Sequence, residues 1–264
     1  MYRPEGEFSW PKPPEAAWSY IDKVRSLPVE RYLSLPFAQQ SHRVSEGWFY
    51  SRAENKIHGL WGHAAVDFEL PRGTDVLAAA DGWAMSSYHR RPLFDKNGKV
   101  LLYRGKKVEM GLGWFVQIYH PEAGRYTLYG HLEEVAGQIS YSPARRLENS
   151  IITPSNLKVP LGKMEKHKRF IWVKRGEKIG KVGDSGLGLG YDDFPNRPSP
   201  EEFPSWDEVH LHFVEFTRNP KDGSLSAPRD PYDIYWLGDK YPDSENKENA
   251  KYVGPKVLWR NDGI

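Results

Sequence analysis

The chain has 264 residues, enough for one large domain or two ordinary ones with a sizeable core. Lys and Arg number 37 against 35 Asp and Glu, a net charge of +2 with no long basic run, which excludes the footprint of a dedicated nucleic-acid binder. Cysteine is absent, so disulfide scaffolds, thiolate zinc sites and cysteine nucleophiles are excluded as well.

The N-terminal stretch "MYRPEGEFSWPKPPEAAW" lacks a basic region followed by an apolar run, so no signal peptide is visible, and no run of about 18 apolar residues follows anywhere. Trp18, Ile21, Val24 and Leu27 then recur near the helical period, with Pro14 placed to start a helix and Pro28 to end it. Residues 1–43 are predicted to form an N-terminal arm, partly helical, packed on the domain.

From Gly47 the pattern changes. Short apolar runs ("AAVDFEL", "DVLAAADG", "GWFVQIYH", "RYTLYGHL", "FIWVKRGEKIGKVG", "VHLHFVEF") alternate with Gly-containing turns. These are strand lengths built from strand residues, and nothing alternates strand with long helix. The sequence therefore predicts a mainly antiparallel β domain over 44–236. Residues 86–110 are expected to form a long hairpin, 140–170 a further excursion, and 187–208 a long loop rich in Gly, Pro and acids. The polar extension 237–264 is expected to pack on the domain, with "KYVGPKVLWR" adding an edge strand.

Four of the nine histidines form a pattern. His210 and His212 sit at alternate positions of "DEVHLHFVEF", so on a strand both point to one face while Leu211 and Phe213 point to the other. Two adjacent imidazoles call for a shared partner, and a divalent metal is one. In "GHAAVDF", His63 and Asp67 are four apart, on one face of an extended segment, and imidazole plus carboxylate is a usual ligand mix for zinc. His131 closes "RYTLYGH" beside a glycine. No HExxH occurs, which excludes a helical zincin. His42, His58, His89, His120 and His167 belong to no such pattern and suit surface or packing roles.

Taken in order, HxxxD, "RGTDVLAAADG", the YGHL strand, "VKRGEKIGKVGDSG", "VHLHFVEF" and "RDPYDIYW" resemble the lysostaphin-like zinc endopeptidases, the LytM-type peptidoglycan hydrolases, over roughly residues 56–236. The resemblance implies an antiparallel β-sheet groove with one zinc per chain held by His63, Asp67 and His212, with His131 and His210 catalytic. It implies hydrolysis of peptide cross-links or stem peptides of the bacterial wall by a monomer outside the cytoplasm, while the lack of a visible signal peptide leaves a cytoplasmic location open; charge and hydropathy give no expectation of a nucleic-acid partner or a membrane span. Three protein ligands leave zinc a fourth position for water, as catalytic sites do. Two other functions stay open beside this one: a non-catalytic wall-binding or regulatory module on the same scaffold, and a peptidase for a non-wall peptide.

The chain departs from the family pattern in two places. Ala65 stands where HxGxD has glycine, and Gly186 and His210 are 24 positions apart (210 − 186), several times the usual gap. Loop 187–208 and the N-terminal arm are both candidates to wall or cover the groove.

Overall fold

The computed structural model describes residues 31–38, 42–46, 65–92, 97–100, 102–103, 106–107, 109–141, 144–147, 150–154, 170–186, 209–218, 225–229, 231 and 258–260. The regular structure among them is entirely β: β1 (Arg43–Glu46), β2 (Val66–Glu69), β3 (Asp75–Leu77), β4 (Gly82–Pro92), β5 (Leu102–Tyr103), β6 (Lys106–Lys107), β7 (Glu109–His120), β8 (Arg125–Val135), β9 (Ala144–Leu147), β10 (Ser150–Pro154), β11 (Ile171–Val173), β12 (Lys178–Val182), β13 (His210–Arg218) and β14 (Leu225–Arg229). The antiparallel β class expected from the apolar runs is borne out. The expected helix at 14–28 and loop 187–208 lie outside the described residues, as does His63. No helix among the described residues is long and apolar enough to cross a membrane.

One large antiparallel sheet runs β1-β2-β13-β8-β7-β4-β11, with β14 on β13 and β12 bridging β3 and β8. The expected hairpin exists: β4 and β7 pair from Trp83↔Tyr119 out to Pro92↔Glu109. Between them in sequence, β5 and β6 pair with each other. Strand β8 is the hub. One edge pairs with β7. The other edge pairs with β13 over residues 126–130 and with β12 over residues 132–135.

Both faces of the sheet are buried. Leu211 and Phe213 pack with Leu33, Phe37, Phe68, Tyr129 and Trp259 on one face. Val214 and Phe216 pack with Met85, Phe115, Tyr126, Leu128 and Phe170 on the other, the face shared with His210 and His212. The sequence placed the core behind Leu211 and Phe213 alone. A near-continuous run such as "FVEF" is instead the mark of a strand covered on both sides.

The first face is closed by chain segments far apart in sequence. Leu33 forms a parallel bridge with Trp259, and Ser34 N–H donates to the Ala79 carbonyl at 2.7 Å. Of the edge strand expected in the C-terminal extension, the described residues show this single bridge. Next to it lies an ion cluster. Glu215, fully buried, receives the Arg125 guanidinium through Nε and through Nη2 at 2.7 Å, and Arg229 at 2.9 and 3.1 Å. The Tyr32 hydroxyl donates to the same carboxylate at 2.8 Å. Burial alone would raise the Glu215 carboxyl, but the two guanidinium groups outweigh it and hold the group below its ordinary value.

His120 sits beside this cluster, edge-on to Tyr32. Its Nδ1–H donates to the Asp81 carbonyl and its Nε2 meets the Thr127 hydroxyl, both at 2.8 Å. Burial pushes its pKa from 6.5 down to about 4, against the upward pull of the Asp81 carbonyl. Between those two values the unfolded chain binds the proton and the folded chain does not, so stability falls as the pH falls. The full shift corresponds to about 3 kcal/mol. His120→Gln removes this titration. Urea unfolding of the variant at pH 6.5 and pH 4 should show a loss smaller by up to about 3 kcal/mol than in the parent chain. Equal losses in the two proteins would contradict the assignment.

Candidate functional site

The site is built where β2, β8 and β13 lie side by side. The register pairs His212 with Asp67 of β2 on one edge and with Gly130 of β8 on the other. Residues paired across a sheet share a face, so Asp67 and His212 meet on the face of His210. His212 Nδ1 lies 2.8 Å from Asp67 Oδ1, and His210 Nε2 lies 3.6 Å from Asp67 Oδ2. Asp67 is buried, at 4% exposure, and so is held where a carboxylate needs a cationic or donor partner.

His131 reaches the same face by a less direct route. Strict alternation from Thr127 and Tyr129 would put it on the opposite face, among the residues around His120. The register of β7 against β8 shifts between Trp114 and Val116, which pair with Leu132 and Tyr129. Two residues of β8, Gly130 and His131, therefore lie opposite Phe115 alone, which is a β-bulge. His131 has φ +59°, the left-handed region, and is the one non-glycine residue with positive φ among the described residues. The bulge turns its ring to the histidine face, 4.6 Å from the His210 ring and 5.5 Å from His212 between centroids. Backbone strain of this kind is held only where surrounding structure fixes it.

The fixing element is the turn Asp184-Ser185-Gly186. The Ser185 carbonyl accepts a hydrogen bond from His131 Nδ1–H at 2.8 Å. A carbonyl takes only an N–H, so the proton sits on Nδ1 and Nε2 is left as the acceptor. Burial first, then the neighbouring imidazoles of His210 and His212, hold the His131 pKa well below its ordinary value, so the ring is neutral at pH 7. The turn presses against β7. Trp114 N–H donates to Ser185 Oγ and Gly111 N–H to the Gly186 carbonyl, both at 2.8 Å. A Cβ on Gly113 would fall 2.1 Å from the Ser185 carbonyl carbon, at a φ of +58°, so only glycine permits this approach.

His131, His210 and His212 place one ligand nitrogen each within 4.8 Å of one another, a group that can hold a metal ion. Asp67 adds a carboxylate oxygen beside His212. Two atoms about 2.0 Å from one ion at a tetrahedral angle are about 3.3 Å apart, so the 2.8 Å between His212 Nδ1 and Asp67 Oδ1 fits an ion after a small relaxation. Nitrogen and carboxylate donors are zinc's usual set outside thiolates.

Four of the five residues singled out in the sequence (Asp67, His131, His210 and His212) are thus brought together; the fifth, His63, lies outside the described residues. Sequence reasoning passed over Ser185, Asp184, Arg72 and Gly113. Their local signals were the turn in "KVGDSG", the glycines of "GLGW" and the start of "RGTDVLAAADG", none of which names a partner.

No family model matches the chain, and no curated protein matches it. Solved structures similar to it include M23 and lysostaphin-type peptidases. A zinc-containing peptidase from Vibrio cholerae is 18% identical, with 77% of this chain and 39% of that chain covered, at a TM-score of 0.37. A point mutant of the catalytic domain of the prophage-encoded M23 protein EnpA from Enterococcus faecalis is 15% identical, covering 73% and 93%, at 0.36. The catalytic domain of the antimicrobial peptidase lysostaphin from Staphylococcus simulans is 17% identical, covering 72% and 89%, at 0.36. At these identities and TM-scores, what the site can do is taken from its own residues.

Proposed function

We propose that the chain is a zinc-dependent endopeptidase that hydrolyses peptide cross-links or stem peptides of bacterial peptidoglycan. The observation that supports it most is the convergence of Asp67, His131, His210 and His212, from three strands, on one face. The family-ordered motifs of the sequence supply the substrate class, and with it a place of action outside the cytoplasm. His63, Asp67 and His212 are proposed as the metal ligands, with His131 and His210 as the catalytic pair.

When bound, zinc supplies a Lewis acid for the scissile carbonyl and lowers the pKa of water to about 7. The chain's own residues do the rest. Asp67 and His212 stand side by side, with His212 Nδ1 2.8 Å from Asp67 Oδ1, so the pair would offer two donor atoms to one ion. His131, neutral and protonated on Nδ1, offers Nε2 as a proton acceptor beside His210. The two imidazoles divide the remaining work: one takes the proton of the attacking water and passes it to the leaving amine, and the other donates to the developing oxyanion.

Defined muropeptides incubated with the zinc-loaded chain, and separated by mass spectrometry, test this. Paired products that together carry one added water at a single peptide bond are expected. Intact muropeptides alongside cleavage of unrelated peptides would sink the wall assignment, and no cleavage of any peptide would sink the enzyme assignment.

A further inference from the structure

We infer that Arg72 and Asp184 are positioning residues for His131, acting through the Ser185 carbonyl. The inference deepens the proposed function and rests on His131 working at the site. Asp184 is nearly fully buried and receives the Arg72 guanidinium as a two-point fork, Nη1 to Oδ1 at 3.0 Å and Nη2 to Oδ2 at 2.6 Å. Such a fork fixes orientation as well as charge. Asp184 is followed directly by Ser185, whose carbonyl holds His131 Nδ1 at 2.8 Å. Arg72 lies in the turn that follows the Asp67 strand. That turn is itself tied to β12, with Gly73 N–H donating to the Val182 carbonyl and Val182 N–H to the Thr74 carbonyl, both at 2.9 Å.

The ion pair therefore joins the strand bearing Asp67 to the turn that orients His131. The two sides of the site, 112 residues apart at this contact, are joined by the fork, and Arg72 Nη1 also donates to Glu133 Oε2 of the His131 strand at 3.2 Å. A fold needing only a closed turn would have it already from the Gly111 and Trp114 bonds. The His131 bulge holds a left-handed residue, so its ring needs a fixed acceptor to keep it from relaxing to the ordinary strand direction.

Asp184→Asn and Arg72→Ala test this, with Arg72→Lys as the variant that keeps the charge and loses the fork. Arg72 is about a third exposed (35%) but Asp184 is buried (3%), so Arg72→Ala leaves a buried carboxylate without its fork, and Arg72→Lys, which keeps a cation beside it, is the variant expected to stay folded. Two quantities are read: the nitrogen-15 and proton signals of the His131 ring, and the split of kcat from KM. Arg72→Ala should move the ring from a fixed Nδ1–H form toward a mixture of tautomers. It should lower kcat by about 10- to 100-fold while KM and zinc affinity stay near the parent values, with Arg72→Lys between the two. Unchanged His131 signals in folded Arg72→Ala overturn the inference, whatever the rate. If the parent chain cleaves no peptide, the ring signals still decide the positioning role, and the proposed function alone falls.

Discussion

His212→Ala is expected to abolish metal retention and to lower kcat/KM by about 1000-fold or more, whereas His210→Ala retains the metal and loses turnover. The two imidazoles are equivalent in sequence, and their surroundings separate them. His212 is paired through β13 with Asp67 on one edge and Gly130 on the other, and its Nδ1 is 2.8 Å from the Asp67 carboxylate. His210 Nε2 stands 3.6 Å from that carboxylate and its ring is the nearer of the two to His131. Removing His212 deletes one of the two donors that face each other directly, so the loss falls on the metal and on every step that needs it. Removing His210 deletes the proposed proton-transfer group and leaves the Asp67–His212 pair in place. Metal analysis beside steady-state rates, with circular dichroism to confirm folding, separates the two. Equal behaviour of both variants would refute the division of labour.

Glu215→Ala is the largest stability loss expected, about 3–5 kcal/mol. The carboxylate is fully buried and takes both guanidinium groups and the Tyr32 hydroxyl. Without it, Arg125 and Arg229 both lose the buried carboxylate they pair with. The cost of leaving charges buried exceeds the net value of the cluster itself. Replacing all three residues together by apolar side chains of similar volume should cost far less than Glu215→Ala alone, and urea unfolding of the two variants checks the contrast. A loss near 1 kcal/mol for Glu215→Ala would show that water reaches the cluster. Glu215 lies on the face of β13 away from His212, so folded Glu215→Ala should still bind the metal.

The strands were legible because apolar runs and glycine turns report local conformation, and the pairing of His210 with His212 was legible because alternation does. His131 was not legible by the same rule. Period two assigns it to the face of Thr127 and Tyr129; the bulge that turns it over depends on how β7 pairs with β8, which no local pattern encodes. Its proposed role rests on the order of motifs along the chain instead. The second apolar face was missed because Val214 and Phe216 flank the histidines on the same side, and their burial is set by what packs over them. Glu215 reads in sequence as a lone acid in a strand, since its partners at positions 32, 125 and 229 are far off in sequence. Arg72 and Asp184 are hidden for the same reason.

The most direct test of the account is the zinc content of the chain after equilibrium dialysis, measured for the parent, Asp67→Ala, His212→Ala and His210→Ala side by side. One zinc per chain is expected in the parent and in His210→Ala, and none in Asp67→Ala or His212→Ala. A parent chain without stoichiometric zinc, or a His212→Ala chain that keeps it, would contradict the account.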